Sequence, residues 1–160
     1  MTKVGIIGGS GFDDPKMLEN QHEIEVSNKY GKLAAPLLLG KINNVEVVIL
    51  SRHGITHSIT PTNVNYRANV LALKEQGVTH IIATTAVGSL REEIGRGDIV
   101  IPDQFIDFTR HRENTFFDTF NDGVFHTQMS EPFDKNLRDI LIKSSNELGY
   151  KTHPQGTVVT

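Results

Sequence analysis

Apolar residues in this chain come in short runs, each closed by glycine, hydroxyl or basic residues. Lys3 to Ile7, Val45 to Leu50 and Val78 to Thr84 read as buried strands, because 4–8 apolar residues bounded by turn signals suit a strand covered on both faces. Leu37 to Ile42 precedes Asn43-Asn44 and the Val45 run. Two residues that tolerate positive φ between two strands predict a tight hairpin. Thr62 or Asn63 then caps a predicted helix with apolar positions Tyr66, Val70, Leu71 and Leu73, ended by Gly77. Ser89 and Glu92 have capping-box spacing and predict a short helix that stops by Gly95 or Gly97. Asp98 to Phe108 is strand-like and interrupted by Pro102. Thr109 to Glu131 has no period and reads as a long loop, a length at which loops are usually functional or disordered. Asp134 caps a helix with Leu137, Ile140, Leu141 and Leu148 on one face and Gly149 at its end. Thr157 to Thr160 begins a further apolar strand, at which the sequence stops.

Strands alternating with helical patterns predict an open α/β sheet, where ligands bind outside the carboxyl ends of the strands. Three such ends carry chemistry here: Gly8-Gly9-Ser10-Gly11, Arg52-His53-Gly54, and Thr84-Thr85-Ala86-Val87-Gly88-Ser89. Glycines let backbone N–H groups approach oxygens, hydroxyls donate, and arginine offers a planar fork. Together they suit an anion. Each segment also has a plainer reading. The glycines fit neither the dinucleotide fingerprint nor the P-loop and serve equally as a strand-to-loop turn. Arg52 could pair a structural carboxylate. Ser89 could simply cap a helix, whose N-terminus would itself favour an anion. His53 and His57 have the spacing of two metal ligands on a helix, but Gly54 between them, Pro61 soon after and no third ligand argue against a metal. The six phenylalanines between Phe105 and Phe125 read as core or subunit-interface packing, and His126 as structural or a ligand contact. Glu92 and Glu93 read as the first turn of a helix before they read as catalysts.

Composition narrows the class. The 160 residues suit one domain with a real core, and a net charge of −3 with scattered Lys and Arg disfavours a nucleic-acid partner. The sequence has no cysteine, so no disulfide framework or thiolate zinc site is expected. No apolar run approaches the roughly 18 residues of a membrane span, and no leader precedes the first strand. A soluble, cytoplasmic protein is the expectation.

Several segments in order resemble one family. They are Gly5-Ile6-Ile7-Gly8-Gly9-Ser10-Gly11, Arg52-His53-Gly54, Val64-Asn65-Tyr66-Arg67-Ala68-Asn69, Thr84 to Glu93 and Gly97 to Asp107. The chain is similar from residue 3 to residue 160 to the methylthioadenosine phosphorylases, a branch of the trimeric purine nucleoside phosphorylases. That resemblance implies a three-layer α/β phosphorylase/hydrolase-like fold with a mixed, twisted central sheet, and one nucleoside phosphorylase domain over 1–160. It implies cleavage of a purine nucleoside, 5′-methylthioadenosine first, by inorganic phosphate, giving the base and 5-methylthioribose-1-phosphate. Ser10, Arg52, His53, Thr85 and Ala86 match phosphate contacts. Ala86, Val87 and Gly88 match positions along the purine, and His126 a residue lent to the substrate pocket by a neighbouring subunit of a homotrimer. No metal or cofactor is implied; phosphate is the co-substrate. The family's ribose contacts and its carboxylate for purine N7 match positions expected past Thr160, so the fold reads as incomplete at its C-terminus, the catalytic residue is unassigned, and little activity is expected of these 160 residues alone. Other purine nucleoside phosphorylases acting on 6-oxopurines or methylthioinosine, a nucleosidase that uses water, and an inactive anion-binding fragment remain open alternatives.

Overall fold

The computed structural model describes residues 1–8, 17–121 and 123–160, in two units. The first comprises Met1–Ala86 and Arg112–Phe116, the second Val87–His111 and Phe117–Thr160. Among the described residues no helix is long and apolar enough to cross a membrane.

The first unit is built on a mixed five-stranded sheet of order β2-β5-β6-β1-β7, from β1 (Lys3–Gly8), β2 (Glu19–Ile24), β5 (Leu37–Ile42), β6 (Val45–Ser51) and β7 (His80–Ala83). Two-residue strands β3 (Ser27–Asn28) and β4 (Gly31–Lys32) form a small separate ribbon. β5 and β6 are the predicted hairpin, antiparallel with Ile42 opposite Val45. Asn43 (φ 47°) and Asn44 (φ 65°) both occupy the left-handed region, the geometry whose twist matches the flanking strands. β1 runs parallel to both β6 and β7, with Ile7 level with Leu50 and with Ala83. That register brings the carboxyl ends of three strands to one end of the sheet.

The continuous apolar run of β6 is explained by burial on both faces. Val48 and Leu50 enter one cluster with Leu33, Leu37, Ala68, Ala72 and Leu73; Val47 and Ile49 enter another with Leu18. The first cluster is roofed by α1 (Tyr66–Glu75), between β6 and β7 in sequence. Close packing of Leu73 in this helix and of Val78 after it leaves room only for glycine at residue 5 of β1: a Cβ on Gly5 would stand 2.9 Å from Val78 Cγ1 and 3.4 Å from Leu73 Cδ1.

Two details of α1 depart from the sequence pattern. Its N-cap is Asn65, whose Oδ1 accepts from the Ala68 N–H at 3.0 Å, while Pro61–Asn63 forms a 3₁₀ turn ahead of it. Proline fixes φ for that turn, so Thr62 and Asn63 are used one step early. The buried stripe is Ala68, Asn69, Ala72 and Leu73, and Val70 lies exposed. Gly77 ends the helix at φ 74°, as its position predicts.

The second unit pairs β8 (Ile99–Val100) with β10 (Thr152–His153) and β9 (Gln104–Ile106) with β11 (Thr157–Val159), both parallel. Pro102 separates β8 from β9, as expected of a residue without an N–H. Between Thr109 and Glu131 the described residues form no helix or strand. α2 (Lys135–Glu147) is capped by Asp134, whose carboxylate accepts from the Leu137 N–H at 2.8 Å. Its inward side carries Leu137, Arg138, Leu141, Ile142 and Ser145 rather than Ile140 and Leu148, which are exposed. Arg138 explains the rotation: its Nε donates to the Pro102 carbonyl at 2.9 Å and its Nη2 to the Pro154 carbonyl at 2.7 Å.

The helix predicted after Ser89 is absent. Ser89 Oγ accepts from the Arg91 N–H at 3.0 Å and donates to the Arg91 carbonyl at 2.7 Å, closing a local turn instead. Five residues before Gly95 cannot offset the cost of nucleating a helix, and a serine bonding its own neighbourhood competes with one. Glu92 and Glu93 accordingly lie in a turn, Glu93 paired with Arg91.

Candidate anion-binding site

Arg52 follows β6 directly and reaches across the sheet. Its Nη1 donates to the Gly8 carbonyl at 3.1 Å, at the end of β1, and to the Thr84 carbonyl at 2.8 Å, just past β7. Its Nε donates to His53 Nε2 at 3.1 Å. One half-buried guanidinium thus ties three parallel strand ends together. Among the described residues no carboxylate is paired with it. Among the described residues the second terminal nitrogen, Nη2, makes no hydrogen bond, and it remains available to an acceptor from outside.

His53 is held with equal definition. Its Nδ1 lies 2.8 Å from the Ile59 carbonyl, which can only accept, so Nδ1 carries the proton and Nε2 receives the Arg52 N–H. The imidazole is neutral in this arrangement, and both ring nitrogens are engaged within the protein. A buried tight turn makes the geometry possible: the Gly54 N–H donates to the Ser51 carbonyl at 3.1 Å, and φ of 77° at this position is natural only to glycine. The His57 ring stacks on His53 at 6.2 Å.

A cavity of about 270 Å³ opens at these strand ends, lined by Ile7, Arg52, Tyr66, Asn69, Val70, Ala83, Thr84 and Thr85. One wall is Ile7 of β1, Ala83 of β7 with Thr84 and Thr85 after it, and Arg52; the other is the N-terminal part of α1, with Tyr66, Asn69 and Val70. Arg52, Asn69 and the hydroxyl-bearing Tyr66, Thr84 and Thr85 share this space with Ile7, Val70 and Ala83, a mixed polar and apolar composition common in small-ligand sites.

The sequence-expected residues therefore divide. Arg52, His53 and Thr85 are brought together at one sheet end, with exposed Ala86 next in the chain. Ser10 lies outside the described residues. Val87, Gly88 and His126 belong to the second unit, where all are exposed. Asn69 and Tyr66 also line the cavity; the sequence places them in the segment from Val64 to Asn69 but does not predict them as site residues, and a polar residue amid the apolar stripe of α1 is the available signal for Asn69.

The second unit has its own charged centre, which the sequence pattern did not reveal. Asp98 Oδ2 accepts from Lys151 Nζ at 2.7 Å, His153 Nε2 at 2.7 Å and the Gly95 N–H at 2.9 Å. The Lys151 hydrogen bond foremost, then those of His153 and Gly95, hold this carboxyl well below its ordinary 3.8. Its role is to tie β8 to β10. Among the described residues no group of three or more His, Asp or Glu is placed to hold a metal ion.

Residues 3–160 match the family model of the phosphorylase superfamily. The chain is 55% identical over 162 residues to the S-methyl-5′-thioadenosine phosphorylase of Danio rerio and 56% identical over 163 residues to that of Xenopus tropicalis, covering 99% of this chain in both cases. It spans 58% of the length of each relative. Among solved structures it is similar to the methylthioadenosine phosphorylase of Schistosoma mansoni without ligand, at TM-score 0.93 and 42% identity, covering 100% of this chain and 64% of that one. A point mutant of the adenosine/methylthioadenosine phosphorylase of the same organism, in complex with methylthioadenosine, gives TM-score 0.93 at 41% identity, over 100% of this chain and 63% of that one.

Proposed function

This chain belongs to the phosphorylase superfamily, and from that premise we propose that it serves phosphorolysis of a purine nucleoside, with 5′-methylthioadenosine as substrate. The observation that carries this reading is the Arg52 guanidinium, fixed by three hydrogen bonds at the common end of β6, β1 and β7, with Thr85 lining the same cavity. A nucleosidase that attacks with water has no need of a fixed cation at the nucleophile's position. The similarity to methylthioadenosine phosphorylases, one of them solved with methylthioadenosine bound, supports the choice of nucleoside.

The reaction breaks the bond between ribose C1′ and purine N9. Its electron pair leaves with the purine, which takes up a proton at N7. A phosphate oxygen bonds to C1′. Positive charge grows on the ribose as the old bond lengthens, so a held oxyanion both orients the attack and stabilises that charge. In this reading Arg52 Nη2 and the hydroxyls of Ser10 and Thr85 hold phosphate, with the backbone of Ala86. His53 acts on the anion through Arg52, whose guanidinium plane it fixes; direct contact would require its Nε2 to release Arg52. Ala86, Val87 and Gly88 run along the purine, and His126 comes from a neighbouring copy in a homotrimer. The phosphorylase domain spans the whole chain, needs no cofactor and works in the cytoplasm. No residue of this chain is assigned to protonate N7.

Adenine release from methylthioadenosine by the intact protein, with phosphate present and then rigorously removed, tests the proposal. Release that depends on phosphate and saturates with it is expected. Equal release without phosphate would replace phosphorolysis by hydrolysis.

A further inference from the structure

Asn69 lies in the buried stripe of α1, between Ala68 and Ala72, and only 5% of it is accessible. Its backbone N–H is satisfied by the Asn65 carbonyl at 3.1 Å. Its side-chain amide makes no hydrogen bond among the described residues. Yet none of their half-buried or buried side chains has a fully enclosed polar atom without a partner. The amide therefore keeps access to open space, and the space Asn69 lines is the cavity it shares with Arg52 and Thr85. A leucine would fill this helix position and carry no polar group for the cavity. An amide retained there is explained by a ligand.

We propose that Asn69 contacts the bound phosphate and selects it against fully ionised oxyanions such as sulfate. The inference rests on the phosphorolytic reading above. Arg52 can only donate, and a site made of donors alone welcomes any tetrahedral dianion. An amide also offers an acceptor, Oδ1. Phosphate near neutrality retains at least one proton, so a P–O–H group can donate to Oδ1 while Nδ2 donates to a neighbouring oxygen. Sulfate has no proton to give, and its oxygens meet the Oδ1 lone pairs unfavourably. Discrimination of this kind rests on a polar group left unpaired with the wrong ligand, which is stronger than discrimination by size.

Calorimetric titration of the intact protein with inorganic phosphate and with sulfate tests this. Asn69→Leu should weaken phosphate about tenfold, the size of one or two lost hydrogen bonds, and bring the phosphate-to-sulfate affinity ratio close to one. Asn69→Asp keeps the acceptor, so it should weaken both anions while preserving the preference for phosphate. Arg52→Met should weaken both anions alike. Unchanged phosphate affinity and an unchanged ratio in Asn69→Leu, beside lost binding in Arg52→Met, would overturn the role of Asn69 and leave the phosphate site standing. Phosphate binding that is absent, or indifferent to Arg52→Met, would remove the site and this inference together.

Discussion

Arg52→Lys separates the two jobs assigned to this guanidinium. The arginine holds His53 through Nε, holds the ends of β1 and β7 through Nη1, and leaves Nη2 for an anion. A lysine ammonium is a point charge with no planar fork. It can satisfy one or two of the carbonyls, but not these, His53 and a phosphate oxygen together. Hydrogen bonds from a charged donor are worth about 1.5–3 kcal/mol each. The protein contacts are half-buried and partly replaced by lysine, so the expected loss of stability is about 1–2 kcal/mol, or a fall in Tm of roughly 2–8 °C for a domain of this size. Loss of the anion contact adds about 1.5–3 kcal/mol, which is about 10- to 150-fold in phosphate affinity. Calorimetric phosphate titration gives the second number and a thermal melt the first. The phosphate KM of the intact protein should rise in step with Kd. A lowered Tm with phosphate Kd and KM unchanged would show that Arg52 is only a staple between strands and would refute the site.

Other consequences are equally direct. Leu73 is fully buried against Val48 and Leu50, so Leu73→Ala should cost about 2–5 kcal/mol by chemical denaturation. Asn44→Val places a β-branched residue at φ 65° in the hairpin turn and should cost about 1–2 kcal/mol, whereas Asn44→Gly should be neutral or stabilising in the same measurement. Asp98 titrates below its ordinary 3.8 in the fold because Lys151, His153 and Gly95 donate to it. The stability it contributes is therefore full above that value and is lost as pH falls below it. Melts between pH 6 and pH 3 should show this loss, and Asp98→Asn should be less stable near neutrality with a flatter pH profile.

Elements defined by neighbours in sequence were legible; those defined by distant partners were not. The β5–β6 hairpin follows from Asn43-Asn44 between two apolar runs, and α2 from Asp134 and Gly149, because cap and turn chemistry acts within a few residues. The α1 cap was displaced because Thr62, Asn63 and Asn65 are all competent and only the 3₁₀ turn at Pro61 decides among them. Ser89 and Glu92 have capping-box spacing, yet the serine bonds Arg91 and no helix follows. Arg52, His53 and Thr85 were legible as strand-end residues because a parallel sheet brings such ends together. That Arg52 bridges two carbonyls while His53 takes its Nε could not be read, since Gly8 and Thr84 are distant in sequence. Asn69 was hidden in a helix whose pattern reads as apolar, and Asp98 gathers partners from residues 151 and 153.

The most direct test of the central claim follows the phosphate itself. The intact protein is given methylthioadenosine and phosphate labelled with ¹⁸O at all four oxygens, and the sugar product is weighed by mass spectrometry. Attack of a phosphate oxygen on C1′ makes the product a methylthioribose phosphate that retains all four labels, formed in equal amount to adenine. Unlabelled free methylthioribose beside the adenine would mean that water is the nucleophile, and that the cation fixed at Arg52 serves some purpose other than phosphorolysis.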